Sequence, residues 1–261
     1  MKRIGWIGFG NMAQAVAKGW LRSGAVQGAD MIASARDTEK LKEVATALGI
    51  QAAGSNEEAA RAADLVIVAV KPDKIEQVLP PLREAIQDKP LLSVAAGWNS
   101  ARFCDLLGED TRSLSVMPNL PVEVGEGIVL CEKAHTLLPK EHETVLALLS
   151  HLGYVDTPEG AEGAAAGVLA GCGPAFASMM IEALADGAVK HGLSRKNAYR
   201  LAASILAGTA RLQQETGRHP GQIKDAVCSP GGTSIRGVGA LEEKGLRHAL
   251  MAALDEILST S

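Results

Sequence analysis

Short apolar runs rich in β-branched residues alternate with helically spaced apolar positions through the first part of the chain, and the alternation stops near Pro158. Residues 4–8, 31–34, 65–70, 91–95, 113–116, 128–131 and 154–157 read as strands. Between them, residues 11–23, 38–48, 73–86 (opening just after Pro72) and 139–151 carry the helical pattern. Leu65-Val66-Ile67-Val68-Ala69-Val70 shows no polar alternation, as expected of a strand covered on both faces. Strands alternating with helices predict successive βαβ units on a mostly parallel sheet. Beyond Pro158 the pattern predicts helices over 174–191, 194–215 with Ser194 as N-cap, 221–227, and a final pair across 233–259. The change of period divides the chain into an α/β domain over 1–158 and an all-α domain over 159–261.

Two apolar segments invite other readings. Lys2 and Arg3 followed by residues 4–17 imitate a secretory leader, but Asn11 and Gln14 interrupt the apolar run. The stretch 163–181 is uncharged and approaches membrane-spanning length. Gly163, Gly167, Gly171, Gly173 and Pro174 break it up, Pro174 sits where a new helix starts, and a buried central helix is the expectation. Phe176, Met179, Met180, Ala183, Leu184 and Ala188 recur at helical spacing, and so many apolar helix faces in one small domain predict burial of some against a second copy of the chain.

Composition narrows the classes. The 26 Lys+Arg against 30 Asp+Glu leave a net charge of −4, which argues against a phosphate-backbone ligand. Aromatics at 3% with abundant Gly and Ala predict a core of small side chains and closely approaching backbones. Cys104, Cys131, Cys172 and Cys228 are far apart, and the histidines lack ligand spacing, so neither a zinc site nor a disulfide framework is expected. The cysteines read as reduced thiols of a cytoplasmic protein.

The first strand runs into Gly8-Phe9-Gly10-Asn11-Met12-Ala13 and then a helix. In that context Gly8 permits a tight turn, Gly10 lets a pyrophosphate approach the backbone, and Ala13 lets helix and strand pack. The N–H groups of the first helical turn, at Asn11 and Met12, then face the phosphates. This is a dinucleotide-binding, Rossmann-like arrangement. About 20 residues on, where an acidic residue would take the ribose hydroxyls of NAD, stand Ser34-Ala35-Arg36. A hydroxyl and a guanidinium suit the 2′-phosphate of NADP, and Asn56 at the next crossover adds a candidate contact. Ala69-Val70-Lys71-Pro72, Ala95-Ala96-Gly97 and Met117-Pro118-Asn119 each lie at a strand's carboxyl end, where open α/β sheets bind ligands.

Those three strings, with Cys228-Ser229-Pro230-Gly231-Gly232-Thr233-Ser234 and the flanking Gly237, Val238, Leu241 and Glu242, resemble the pyrroline-5-carboxylate reductase family over nearly the whole chain. The resemblance implies an NADPH-dependent reductase, with NADH less preferred, that converts 1-pyrroline-5-carboxylate to proline. It implies that Ala69, Val70, Lys71, Pro72, Ala95, Ala96 and Gly97 hold the ribose and nicotinamide portions of the cofactor. Ser229, Gly231, Gly232, Thr233 and Ser234 would hold the substrate, and a glycine-rich turn opening a helix independently suits its carboxylate. A family threonine that bonds the ring nitrogen is matched by Ser234, the candidate catalytic residue. The resemblance further implies a helical dimerisation domain, homodimers and larger rings of dimers, while charge, the broken apolar stretch and residue spacing lead to no expectation of nucleic acid, membrane or metal.

The chain departs from the family pattern at Leu120, Ala170 and Cys172, each standing where a hydroxyl is usual. A reductase of a related cyclic imine, or an NADP-binding regulatory protein without turnover, therefore stays in contention. A β-hydroxyacid dehydrogenase would need a lysine soon after Gly171-Cys172-Gly173, and residues 175–181 contain none. Lys190 reads as a helix-end charge, and Glu182 with Asp186 as a solvated or capping pair.

Overall fold

The computed structural model describes residues 3–259; Met1, Lys2, Thr260 and Ser261 lie outside them. The chain divides into two compact units, Met1–Gly171 and Cys172–Ser261.

Unit 1 is a doubly wound sheet. Its strands are β1 (Ile4–Ile7), β2 (Met31–Ser34), β3 (Gln51–Ala52), β4 (Leu65–Val68), β5 (Leu91–Ser93), β6 (Ser113–Pro118), β7 (Gly127–Cys131) and β8 (Gly153–Asp156). They lie in the order 3-2-1-4-5-6-7-8, parallel except for the β6–β7 pair. The strand order reverses between β1 and β4, which leaves the crevice where such sheets bind ligands. Helices α1 (Asn11–Ser23), α2 (Thr38–Leu48) and α3 (Asn56–Arg61) fill the first crossovers, with α4 (Ile75–Val78), α5 (Arg83–Ile86), α6 (Ser100–Leu107) and α7 (Pro139–Ser150) following.

Side-chain alternation splits the core between the sheet's two faces. Ile4, Trp6, Leu65 and Ile67 join Ala13, Ala17 and Trp20 in one cluster, while Ile7, Val66 and Val68 join Ala59, Ile75 and Phe103 in the other. The small-residue expectation needs correcting here. Trp6, Trp20 and Phe103 are completely buried, so a few large rings form the centre and alanines pack around them. Trp20 also donates its indole N–H to the Leu148 carbonyl at 2.8 Å, which reconciles the ring with its burial.

One further expectation fails for a physical reason, and one short strand was not expected at all. The helix expected over 73–86 is broken into α4 and α5 by 3₁₀ turns at Pro72–Lys74 and Pro80–Leu82, because Pro80 and Pro81 have no N–H to continue the ladder. The two-residue β3 has no apolar run of its own and pairs with β2 over Ile32↔Gln51 and Ala33↔Ala52.

Unit 1 continues into α8 (Gly160–Lys190), and the boundary between the units falls within this helix. The helix does not begin at Pro174 but runs through it. It is also not a buried central helix. Residues Glu162–Lys190 are long and apolar enough to cross a membrane, yet in the single chain only Ala170 and Ala185 among them are fully buried. Unit 2 adds α9 (Arg195–Thr216), α10 (Pro220–Val227), α11 (Thr233–Glu243) and α12 (Leu246–Leu258). Ser194 caps α9 as expected, accepting from the Asn197 N–H. The small core here is Ala185, Ala198 and Ala202, while Met179, Leu184, Leu201, Ile205 and Met251 face outward. All four cysteines are free thiols, and burial pushes the pKa of the Cys131 thiol up to about 11.

Candidate functional site

The parallel strands of unit 1 end in step. Ile7 lies beside Ser34 on one side and Val68 on the other, and Val68 pairs with Ser93, which pairs with Ser115. The turns leaving β1, β2, β4 and β5 therefore emerge at one level, and the sequence-predicted residues of unit 1 converge there.

Gly8 has φ +89°, and a Cβ on it would meet Val70 Cγ1 at 2.8 Å and the Ala69 carbonyl carbon at 2.9 Å. Only glycine allows the β1 turn to lie this close to the β4 turn. Gly8 N–H donates to Ser34 O at 3.0 Å, tying the same turn to β2. Gly10 differs in kind: a Cβ there would meet nothing within 4 Å, so its missing side chain leaves open space. Gly10 is also the N-cap of α1 and offers no side chain to the first-turn donors, which include Asn11 and Met12. Open space before an uncapped helix N-terminus fits a pyrophosphate. Ala13 is buried against the sheet, as its place in the motif requires.

The adenosine end is more particular than the sequence indicated. Ser34 is only 2% exposed. Its hydroxyl turns inward to Trp6 O at 2.9 Å and Asn56 Oδ1 at 2.7 Å, so it orients Asn56 and presents no free hydroxyl at the surface. Arg36 is exposed, and no partner within the chain engages its guanidinium among the described residues. An unpaired cation just before α2, whose N-cap Asp37 already accepts from Lys40 N–H, matches a 2′-phosphate.

Ala69 N–H donates to Ile7 O at 2.9 Å and Val94 N–H to Val68 O at 3.0 Å, which anchors the next two turns. Lys71 opens the 3₁₀ turn at Pro72, and Gly97 takes φ +74°. Two residues that sequence reasoning missed bind these turns together. Trp98 donates its indole N–H to Pro72 O at 3.2 Å, and the Arg102 guanidinium lies 4.1 Å over the same ring while donating to Gly97 O at 2.8 Å. Together with Asp73, Glu76 and Ala96 they line a hollow of about 280 Å³ at the strand ends. The only available signal was position, a tryptophan directly after Ala95-Ala96-Gly97. The Lys74 ammonium holds the exposed Asp73 carboxyl below its ordinary range. A larger cavity of about 450 Å³, lined by Asp64, Lys89, Lys140 and Glu141 among others, lies at the opposite, amino end of the sheet.

In unit 2, Gly231 takes φ +69° and Gly232 is the N-cap of α11, again without a side-chain cap. Gly232 N–H donates to Ser229 O at 3.0 Å, closing the turn. A Cβ on Gly232 would lie 2.4 Å from Ser229 Oγ, so the serine hydroxyl occupies the space that glycine leaves. Ser229, Gly231, Thr233 and Ser234 are exposed, and among the described residues no side chain caps the N–H groups of the first α11 turn. The turn has the donors to take a carboxylate. Asp186, read from sequence as part of a solvated or capping pair, forms a surface ion pair with Arg195.

A glycine-turn dinucleotide fold with these strand-end turns defines a class, the nicotinamide-dinucleotide oxidoreductases, and residues 3–97 match the family described as NADP oxidoreductase, coenzyme F420-dependent. Residues 161–261 match pyrroline-5-carboxylate reductase dimerisation. The chain is 47% identical over 262 residues to pyrroline-5-carboxylate reductase of Treponema pallidum, covering 99% of both chains. It is 36% identical to that of Escherichia coli, covering 100% of this chain and 97% of the other. The crystal structure of Plasmodium falciparum pyrroline carboxylate reductase with NADP bound superposes with a TM-score of 0.85 at 26% identity, over 99% of this chain and 96% of that one. The chain belongs to the pyrroline-5-carboxylate reductase family.

Proposed function

We propose that this protein reduces 1-pyrroline-5-carboxylate to proline with NADPH. The observation that carries the reading is the coexistence of two separately built anion grips, one at Gly10 and α1 for a dinucleotide and one at residues 229–234 for a small carboxylate. The family membership supplies the reaction class.

The chemistry that NADPH supplies when bound is a hydride, accepted by the carbon of the ring C=N bond. The chain's own residues bind and orient. Gly8, Gly10, Asn11 and Met12 would hold the pyrophosphate, and Arg36 the 2′-phosphate, with Asn56 fixed beside it by Ser34. Residues 69–72 and 95–97, locked by Trp98 and Arg102, would hold the ribose and nicotinamide. The N–H groups of Gly231, Gly232, Thr233 and Ser234 and the Ser229 hydroxyl would take the substrate carboxylate. The Ser234 hydroxyl would bond the ring nitrogen. A protonated imine arrives with the proton its nitrogen needs, so no strong general acid is required of the turn. Serine lacks the methyl that restricts a threonine rotamer and holds this position less rigidly.

The exposed apolar side chains of α8, α9 and α12 would pair with those of a second copy, and the family resemblance extends this to larger rings of dimers. The same faces account for the membrane-length apolar stretch without a bilayer. Four free thiols fit a cytoplasmic site of action. The test is NADPH oxidation with 1-pyrroline-5-carboxylate, product proline being measured. NADPH binding without oxidation would move the reading to another cyclic imine or to a regulatory role, with Leu120, Ala170 and Cys172 the positions to revert.

A further inference from the structure

The turn from β5 into α6 is held by side chains that stand on other strands. Ser100, the first residue of α6, is 2% exposed. Its N–H is a first-turn donor with no partner inside the helix, and burial keeps it from bulk water. The N-cap Asn99 serves a different donor, accepting from Arg102 N–H at 2.9 Å. Glu132 supplies the missing acceptor: its Oε2 takes the Ser100 N–H at 3.0 Å. The Ser100 hydroxyl has one proton to share between the same oxygen, at 3.2 Å, and Ser113 O, at 3.0 Å. Glu132 stands directly after β7, and the Val116↔Cys131 pairing sets it opposite Ser115 of β6. Its own N–H donates to Ser115 O at 2.9 Å. Ser115 in turn donates its hydroxyl to Trp98 O at 2.5 Å. Two points on either side of Asn99, the Trp98 carbonyl and the Ser100 N–H, are thus fixed by two residues that are bonded to each other.

We propose that Glu132 is a positioning residue for the nicotinamide half of the cofactor. Its carboxylate ties the start of α6 to the β6–β7 pair and so fixes the course of residues 95–97 as they leave β5. Asn99 alone suffices to cap α6, so what Glu132 adds is the place of the helix start relative to the sheet. A carboxylate suits that task, being a strong acceptor for a donor at a helix N-terminus. Ala95, Ala96 and Gly97 have no side chain long enough to adjust to a ligand, so the position of their backbone decides the fit. Glu132 touches no part of the cofactor in this assignment. All of these contacts lie within unit 1. The inference rests on reading residues 95–97 as the turn that meets the ribose and nicotinamide.

The test compares Glu132→Ala and Glu132→Gln with the unmodified full chain. Two dissociation constants are read by calorimetry, that of NADPH and that of 2′-phospho-ADP, which keeps the adenosine, 2′-phosphate and pyrophosphate and lacks the second ribose and the nicotinamide. Glu132→Ala is expected to weaken NADPH about fivefold, because the ligand must then order a turn that the protein no longer holds. The Kd of 2′-phospho-ADP should change by less than about twofold, its contacts lying on other turns. Glutamine keeps an oxygen that accepts from Ser100 N–H, so Glu132→Gln should bring NADPH affinity back to within about twofold of the unmodified protein. Equal weakening of both ligands, undiminished NADPH affinity, or a glutamine variant no better than the alanine one overturns the proposal. Should Glu132→Ala fail to fold, Ser115→Ala removes the companion bond to Trp98 O, and the same split between the two ligands is expected. Nicotinamide emission that does not change when NADPH binds the unmodified protein contradicts the reading of residues 95–97 itself, and the inference falls with it.

Discussion

Arg36 and Ser34 stand two residues apart and the fold uses them in opposite ways. Arg36 is exposed with no partner among the described residues, so Arg36→Ala costs the fold little and removes only a ligand contact. The expected outcome is a loss of at least tenfold in kcat/KM with NADPH and little change with NADH. Equal losses with both cofactors would remove the 2′-phosphate assignment. The Ser34 hydroxyl is directed inward because Asn56 lies 2.7 Å away, a neighbour that comes from another crossover. A guanidinium at the end of the second strand was therefore legible in the sequence, whereas the direction of the hydroxyl beside it was not. Ser234 belongs to the same scale. Ser234→Ala should lower turnover roughly tenfold while leaving NADPH affinity unchanged, and undiminished turnover would exclude it from the mechanism.

Among the elements, the strand–turn–helix sequence from β1 to α1 was readable because every step is local: a β-branched run, two glycines with distinct tasks, and an alanine where helix meets sheet. Prolines were less transparent. Pro80 and Pro81 break a helix that periodicity alone would continue, while Pro174 does not break one, and the Ala170 carbonyl four residues before it takes a hydrogen bond from the Asn119 side chain, just after β6. Whether a proline terminates a helix depends on a donor elsewhere in the chain, and such a partner has no local signature. The segment entering α7 provides a pH prediction. The rings of His135 and His142 stack with centroids 4.0 Å apart. Burial, and then the charge of His135, lower the His142 pKa from its ordinary 6.5. The unfolded chain therefore takes up this proton first as pH falls, and the stability present above the ordinary histidine range is lost on acidification. His142→Gln should flatten the dependence of the unfolding midpoint on pH between about 7 and 5. An unchanged slope would show that the pair does not govern acid stability.

At the scale of the molecule, the change from a strand-and-helix pattern to helices alone was clear in the sequence, because period is a property of long segments. The exposure of α8 was not, since an apolar helix reads the same whether it is covered by its own chain or by another. Met179 is 67% and Ile205 59% exposed in the single chain. Large apolar surfaces of this kind mark subunit contacts. Sedimentation at micromolar concentration should give at least twice the 27.1 kDa chain mass, and Met179→Glu should shift the population toward single chains. A stable 27.1 kDa species in the unmodified protein would contradict the assembly. The reaction itself is tested most directly by the initial rate of NADPH oxidation with 1-pyrroline-5-carboxylate, NADH being run in parallel. Rapid oxidation with one proline formed per NADPH consumed, faster than with NADH, is the predicted result. NADPH that binds and is not oxidised by this imine would contradict it.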